Sequence, residues 1–335
     1  MKDLSRVEAA GSVAERLRAF AVPDNKRAWS ELAITMIPLN GIISLMYLSL
    51  SLPYVVTLAL AIPAALFLMR VFTIQHDCGH GSFFKERKMN DRLGHFLGLL
   101  TLTPYEDWKL DHALHHAWSG NLDRRGNGDI TTWTVEEFAK AHPLQKLRYR
   151  AFRHPLVMFF IIPIWQFVFR HRWPAPGSKT LRPILSVVFT NVALVGGIAI
   201  MGALIGYVEL LMVLVPIILC ATSIGVWMFY VQHQFEETDW GRDGDWNRRA
   251  SALEGSSYFD MPAPLMWVTG YIGMHHAHHL NSRVPFYRLP DAVAAIPELN
   301  ECPRITLSDT FSCARLALWD EARGTLVSFK DAASA

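Results

Sequence analysis

The sequence predicts an all-α integral membrane protein. Four transmembrane helices stand in two hairpins, with interfacial helices between them and a cytoplasmic helical cap that carries a histidine-rich site for two metals. Three observations carry this reading: four long apolar runs, no Lys or Arg at the turn inside each pair of runs, and three clusters of histidine. Of 335 residues, 51% are hydrophobic, and they gather into runs rather than spreading as they would through a soluble core. The chain reads as one unit over 1–335, divided into 1–32, 33–75, 76–182, 183–231 and 232–335.

The N-terminal segment carries Lys2, Arg6, Arg16, Arg18, Lys26 and Arg27. Met1 to Asn25 has no apolar core and contains Asp3, Glu8 and Glu15, so no cleavable signal peptide is expected. Ala33 to Ser51 and Pro53 to Ile74 are the first pair of runs. Each is close to the ~20 residues that cross a bilayer core, and the link near Leu52 is short enough to force a return. The middle segment holds Lys85, Arg87, Lys88, Arg92, Lys109, Arg124, Arg125, Lys146 and Arg148. By the positive-inside rule it faces the cytoplasm together with the termini. Within it, Leu93–Pro104 and Pro155–Phe169 are apolar but too short to span, which fits interfacial or re-entrant helices. Trp165, Arg170, His171, Arg172 and Trp173 suit a headgroup-level anchor. Ser119 to Thr132 is a loop by its Gly and Asn content, and Thr134 to Glu137 is a capping box that starts a helix. Pro183–Gly206 and Val208–Val231 form the second pair, linked at Gly206-Tyr207. The tail after Pro290, with FSCARLALWDEARG, reads as a short helical cap.

The histidine clusters are His76–His80, His112–His116 and His275–His279. The first is His-x-x-x-His and the others are His-x-x-His-His. Residues three and four apart share a helix face, so each cluster is expected to project its imidazoles in one direction. His276, about 100° round from His275, should point elsewhere. Neutral imidazole is a common ligand of iron, zinc and copper. Eight candidates (His76, His80, His112, His115, His116, His275, His278 and His279) are too many for one metal and suit two. His233, at the end of the fourth run, is a ninth by its symmetry with the first cluster, although a lone histidine at a helix end is more often structural.

Ligating histidines usually donate their second N–H to a carboxylate or carbonyl. Asp77, Asp111, Glu236, Glu237, Asp239 and Asp260 are candidates by proximity in sequence, each also readable as a solvated surface acid. Arg70 lies about 9 Å of helix below His76. It is expected to pair with one of those acids or to snorkel to the interface. His95, His142, His154 and His171 lack ligand spacing and read as interfacial or surface residues. The four cysteines show no paired spacing, no disulfide is expected, and Cys78 reads as a small semi-buried residue.

Other site classes fit poorly. The sequence has no His-Glu-x-x-His, no Gly-rich phosphate loop and no Cys-x-x-Cys. It also lacks the Glu-x-x-His pairs of carboxylate-bridged bundles and the cues of nucleic-acid readers. Imidazole alone does not choose between zinc, copper and iron. Activating O₂ against an unreactive C–H bond is one use for two such metals beside lipid, and that use needs a redox metal such as iron.

HDCGHGSFF (76–84), HALHH, SGNLDRRG (119–126), VQHQFEET (231–238) and HHAHHLNSRVPFYRLP (275–290) together resemble the membrane-bound fatty acid desaturases. The likeness is to the acyl-lipid branch related to position-12 (omega-6) enzymes, of bacterial type, and runs from about residue 35 onward. It implies two iron ions on the cytoplasmic side of the inner membrane, held by the nine histidines including His233, with no catalytic group beyond the ligands. It further implies O₂-dependent insertion of a cis double bond into the acyl chain of a membrane lipid, at position 12 of an oleoyl chain. Two electrons would come from a separate donor, ferredoxin-like or cytochrome b5-like, since the sequence has no HPGG haem motif. Related di-iron lipid hydroxylases, carotenoid oxygenases and desaturases acting at position 9, 6 or 15 share these boxes and are the alternative. A metal transporter or sensor is a different class, and it would place ionisable ligands near the bilayer midplane rather than at the rim.

Overall fold

The computed structural model describes residues 4–126 and 128–333. Helix α1 (Leu4–Arg16) leads into α2 (Asn25–Leu48), which begins well before the apolar run. The cause is Asp24, whose carboxylate accepts the backbone N–H groups of Lys26 at 2.8 Å and Arg27 at 3.2 Å. Helix α3 (Val55–His80) continues past Ile74 and carries the first histidine cluster on its last two turns. It stops at Gly81, whose φ of +68° is the left-handed cap conformation that favours glycine. Helices α4 (Arg87–Leu100) and α5 (Tyr105–Trp118) follow, tied to α3 by the Tyr105 hydroxyl, which donates to the Cys78 carbonyl at 2.8 Å.

Strand β1 (Trp133–Thr134) runs into α6 (Val135–Lys140) through the expected capping box. Thr134 Oγ1 accepts the Glu137 N–H at 3.0 Å while Glu137 Oε2 accepts the Thr134 N–H at 2.8 Å. Helix α7 (Pro143–Phe152) then meets the segment Val157–Arg172, in which π-helical turns flank the three-residue α8 (Ile162–Ile164). The two parts are bent by 61°, the shape of a broken span or a re-entrant loop. Helices α9 (Leu181–Ile205) and α10 (Tyr207–His233) complete the set of four helices among the described residues that are long and apolar enough to cross a membrane. Helices α2 and α3 pack on each other, as do α9 and α10, and α3 also meets α10 and α4, so α3 sits at the centre.

After α10 come α11 (Arg248–Glu254), β2 (Tyr258–Asp260), α12 (Ala263–Val268), α13 (His275–Leu280), α14 (Leu289–Ala295), β3 (Arg304–Thr306), α15 (Thr310–Cys313), β4 (Leu316–Asp320), β5 (Thr325–Ser328) and α16 (Phe329–Ala333). The all-α expectation is corrected here. Strands β1, β4 and β5 form a sheet in the order β1-β4-β5, with β1 parallel and β5 antiparallel to β4, while β2 and β3 form a parallel pair. Within the tail read as a helical cap, β4 and β5 form a β-hairpin between the short helices α15 and α16. Asp320 Oδ1 accepts the N–H groups of Ala322 at 3.0 Å and Arg323 at 3.1 Å, and Gly324 at φ +66° completes the reversal. Ala317, Leu318 and Trp319 are all buried, so both faces of β4 are covered and the polar alternation that marks a half-exposed strand is missing.

Candidate metal centre

Four helix segments converge on one point. The last turns of α3 and α10 supply His76, His80 and His233, α5 supplies His112, His115 and His116, and α13 supplies His275, His278 and His279. The structure brings all nine together as two groups. One holds His76, His80, His112, His116 and His278, the other His115, His233, His275 and His279, and within each group the ligand nitrogens lie within 4.8 Å of one another.

This division crosses the sequence clusters and corrects the expectation that each cluster projects one way. His112 and His116, four apart, join one group, and His275 and His279 join the other. The adjacent pairs His115-His116 and His278-His279 diverge by the ~100° of a single helical step, and each pair serves both groups. His76 and His80 serve one group only.

The spacing fits metal ions. In the first group the Nε2 atoms of His80 and His112 are 3.0 Å apart, those of His112 and His116 3.1 Å, and those of His116 and His278 3.1 Å. In the second, His115 and His279 are 3.2 Å apart and His233 and His275 2.9 Å. Ligands at right angles on an ion with metal–nitrogen bonds of ~2.1 Å would stand roughly 3.0 Å apart. Burial pushes His112, His116, His275, His278 and His279 well below the ordinary histidine range, so their lone pairs stay free to bind a cation. Nine imidazoles facing inward suit borderline divalent ions such as iron.

Several outer contacts orient the rings. His115 Nδ1 donates to Asp129 Oδ1 at 2.5 Å, and His233 Nδ1 donates to the Gly255 carbonyl at 3.1 Å. Asp129 was missed in the sequence because it sits in the loop after α5 rather than beside a cluster. The nearby GNGD run was the available signal. Gly128 has φ +71°, and a Cβ there would come within 3.2 Å of the His115 side chain, so glycine lets this loop lie against α5. Trp108, four residues before His112, stacks on that ring with centroids 4.7 Å apart.

The acids named from sequence have mixed fates. Asp77 Oδ2 accepts the Phe286 N–H at 2.7 Å, and its Oδ1 is 3.5 Å from His76 Nδ1, so it ties the chain after α13 to α3. Asp111 faces the loop beside His115, and burial pushes its carboxyl up. Glu236 and Glu237 are exposed, because the chain has already left the helix at Gln234. Asp260 is turned away in β2, with Oδ2 3.4 Å from Arg304 Nε. Arg70 pairs with none of these acids. Its buried guanidinium meets Glu31 of α2, Thr35 Oγ1 at 3.0 Å and the Trp267 carbonyl, with the Trp267 ring 4.6 Å away. It thereby pins the segment that precedes α13.

His276 stands outside both groups, as its helical position requires, buried 5.7 Å from the Tyr258 ring. His171 is also buried, 3.0 Å from Gln166, which corrects its surface reading. Cys78 is fully buried, and all four cysteines are free.

A family model described as "Fatty acid desaturase" matches residues 50–310. A "Fatty acid desaturase" of Bacillus subtilis (strain 168) is 42% identical over 316 residues, covering 94% of this chain and 90% of that protein. An "sn-1 acyl-lipid omega-3 desaturase (ferredoxin)" of Synechocystis is 31% identical over 254 residues, covering 69% and 65%. An "sn-1 oleoyl-lipid 12-desaturase" of the same organism is 27% identical over 276 residues, covering 81% and 76%.

Proposed function

Because the chain belongs to the fatty acid desaturase family, we propose that it is an O₂-dependent acyl-lipid desaturase whose two histidine groups hold one iron ion each. The observation that carries this reading is the five-plus-four convergence of imidazoles, six buried and three half-buried, where the ends of two apolar helices meet α5 and α13. The overall change is R–CH₂–CH₂–R′ + O₂ + 2 e⁻ + 2 H⁺ → R–CH=CH–R′ + 2 H₂O. When bound, iron supplies the O₂ activation needed to remove hydrogen from unactivated methylenes.

The protein's own part is to hold and exclude. The nine histidines are the ligands, Asp129 and the Gly255 carbonyl fix the tautomers of His115 and His233, and Asp77 secures the chain that follows α13. Position 12 of an oleoyl chain is the first bond to test. The relatives named for omega-3 and position-12 chemistry support an acyl-lipid substrate, and the name of the first supports a ferredoxin as separate electron donor. The chain is one unit over 1–335, with its spans in two hairpins. The same reading sets it in the inner membrane, and the basic segments support a cytoplasmic face for the termini and the site.

The test is fatty-acid analysis of a bacterial host that makes oleoyl lipids and supplies ferredoxin. A new linoleoyl product supports the full reading. A double bond elsewhere retains the activity and moves its position, a hydroxylated chain makes this a hydroxylase, and no product from iron-loaded protein with donor present overturns the proposal.

A further inference from the structure

From residue 138 to 208 the chain has nine Lys and Arg and no Asp or Glu. Several of these cations have evident local roles. Lys140 pairs with Glu136. Lys146 donates to the Ala139 carbonyl at 2.8 Å, and Arg150 lies over the rings of Phe138 and Phe329. Arg153 is buried and bonded to Tyr230 Oη, Gln234 Oε1 and the Leu316 carbonyl.

Arg170, Arg172, Lys179 and Arg182 differ. They run from the end of the bent segment into the first turn of α9, and none has a carboxylate within ion-pair distance among the described residues, Arg170 Nη1 donating instead to the Trp173 carbonyl at 2.8 Å and the Pro174 carbonyl at 3.3 Å. The loop that bears them is held in place. Arg172 Nη1 donates to Asn191 Oδ1 at 3.1 Å and Asn191 Nδ2 returns a bond to the Arg172 carbonyl at 2.9 Å. Asp107 of α5 accepts the Ala175 N–H at 3.1 Å and the Ser178 hydroxyl. Trp165 and Trp173 flank the cations with 56% and 61% of their surface exposed, as aromatics at a headgroup layer are. From the same turn Phe167 leads inward. Its ring is 6.1 Å from Phe72, Phe72 is 5.5 Å from Trp108, and Trp108 stacks on His112.

We infer that Arg170, Lys179 and Arg182, framed by Trp165 and Trp173, bind the phosphodiester headgroup of an anionic glycerophospholipid and present its acyl chain along this aromatic row. Arg172 braces the loop. The presentation of the chain rests on the desaturase reading, whereas the headgroup contact does not. Charge complementarity selects the ligand: cations with no ion-pair partner among the described residues, on a loop whose one bonded acid, Asp107, is already engaged by Ala175 and Ser178, beside an exposed aromatic rim, attract an anionic lipid over a zwitterionic one.

The test uses the full, iron-loaded chain in nanodiscs of dioleoyl phosphatidylcholine containing spin-labelled phosphatidylglycerol or spin-labelled phosphatidylcholine. The expected result is about fivefold preference for restricting the anionic label, unaffected by added inorganic phosphate. The triple variant Arg170→Gln, Lys179→Gln, Arg182→Gln should bring the preference close to one. A charge-matched triple at exposed sites elsewhere (Lys26→Gln, Lys88→Gln, Arg283→Gln) should keep it. Equal restriction of both labels, displacement by free phosphate, or equal loss in both triples overturns the inference. Product analysis on the same discs separates the two proposals. Double bonds without headgroup preference leave only the desaturase reading standing, and preference without double bonds leaves only the lipid site.

Discussion

His115 and Asp129 meet at 2.5 Å, ring Nδ1 to carboxylate Oδ1, and this contact directs the other ring nitrogen of His115 at His279. A carboxylate in this position fixes the tautomer and raises the basicity of the ring. Asp129→Asn keeps the shape and removes the charge. It should lower iron affinity or turnover by roughly 10- to 100-fold, read as iron per chain and as product formed. Unchanged values in both would remove Asp129 from the site.

The two-group division makes His116 and His276 a contrasting pair. His116→Ala should abolish turnover while the chain still inserts and folds. His276→Ala should keep iron and most turnover and cost about 1–3 kcal/mol of stability from the buried space it leaves. Metal analysis beside thermal unfolding distinguishes them, and iron loss in the His276 variant would place that ring in the centre.

Acid should weaken the fold through His276. Burial brings this ring down to about 4 from an ordinary 6.5, with the nearby Ser257 and Leu299 backbone partly opposing the fall. The folded chain therefore keeps the ring neutral while the unfolded chain takes up a proton below 6.5. The stability present above 6.5 is lost progressively as pH falls toward 4, by about 3 kcal/mol in total. In His276→Gln the unfolding midpoint should fall less steeply across that window, and identical slopes would rule out the assignment.

Arg70 and Glu31 form a buried ion pair between α3 and α2. Glu31→Gln strands the guanidinium and should cost about 3–5 kcal/mol, whereas Glu31→Gln with Arg70→Met should recover much of that. Unfolding measured in detergent for both variants decides it. A double variant no better than the single one would show that Arg70 matters through the Trp267 carbonyl instead.

The local periodicities were legible. Apolar runs identify α2, α3, α9 and α10, the spacing of the clusters selects eight of the nine converging histidines, and the symmetry of the two helix pairs adds His233. Thr134 and Glu137 mark the start of α6 as written. What escaped depends on chain meeting chain. Glu31 becomes the partner of Arg70 only because α2 packs on α3, and Asp129 reaches His115 only because the loop folds back over α5. Strand β4 escaped for a different reason. Covered on both faces, LALW carries no polar alternation, and its strand identity comes from pairing with β1 and β5.

The interleaving of ligands has a consequence for assembly. α5 and α13 each contribute to both groups, so neither group is complete until parts of the chain from 164 to 202 residues apart have docked. On the two-iron proposal, loading would thus be a checkpoint on completed folding. A half-built chain offers each ion only a partial grip, and the second ion meets a scaffold that the first has already drawn into register. Filling should be all-or-none, so that a partly supplied population divides into doubly loaded and empty molecules, with few carrying a single ion.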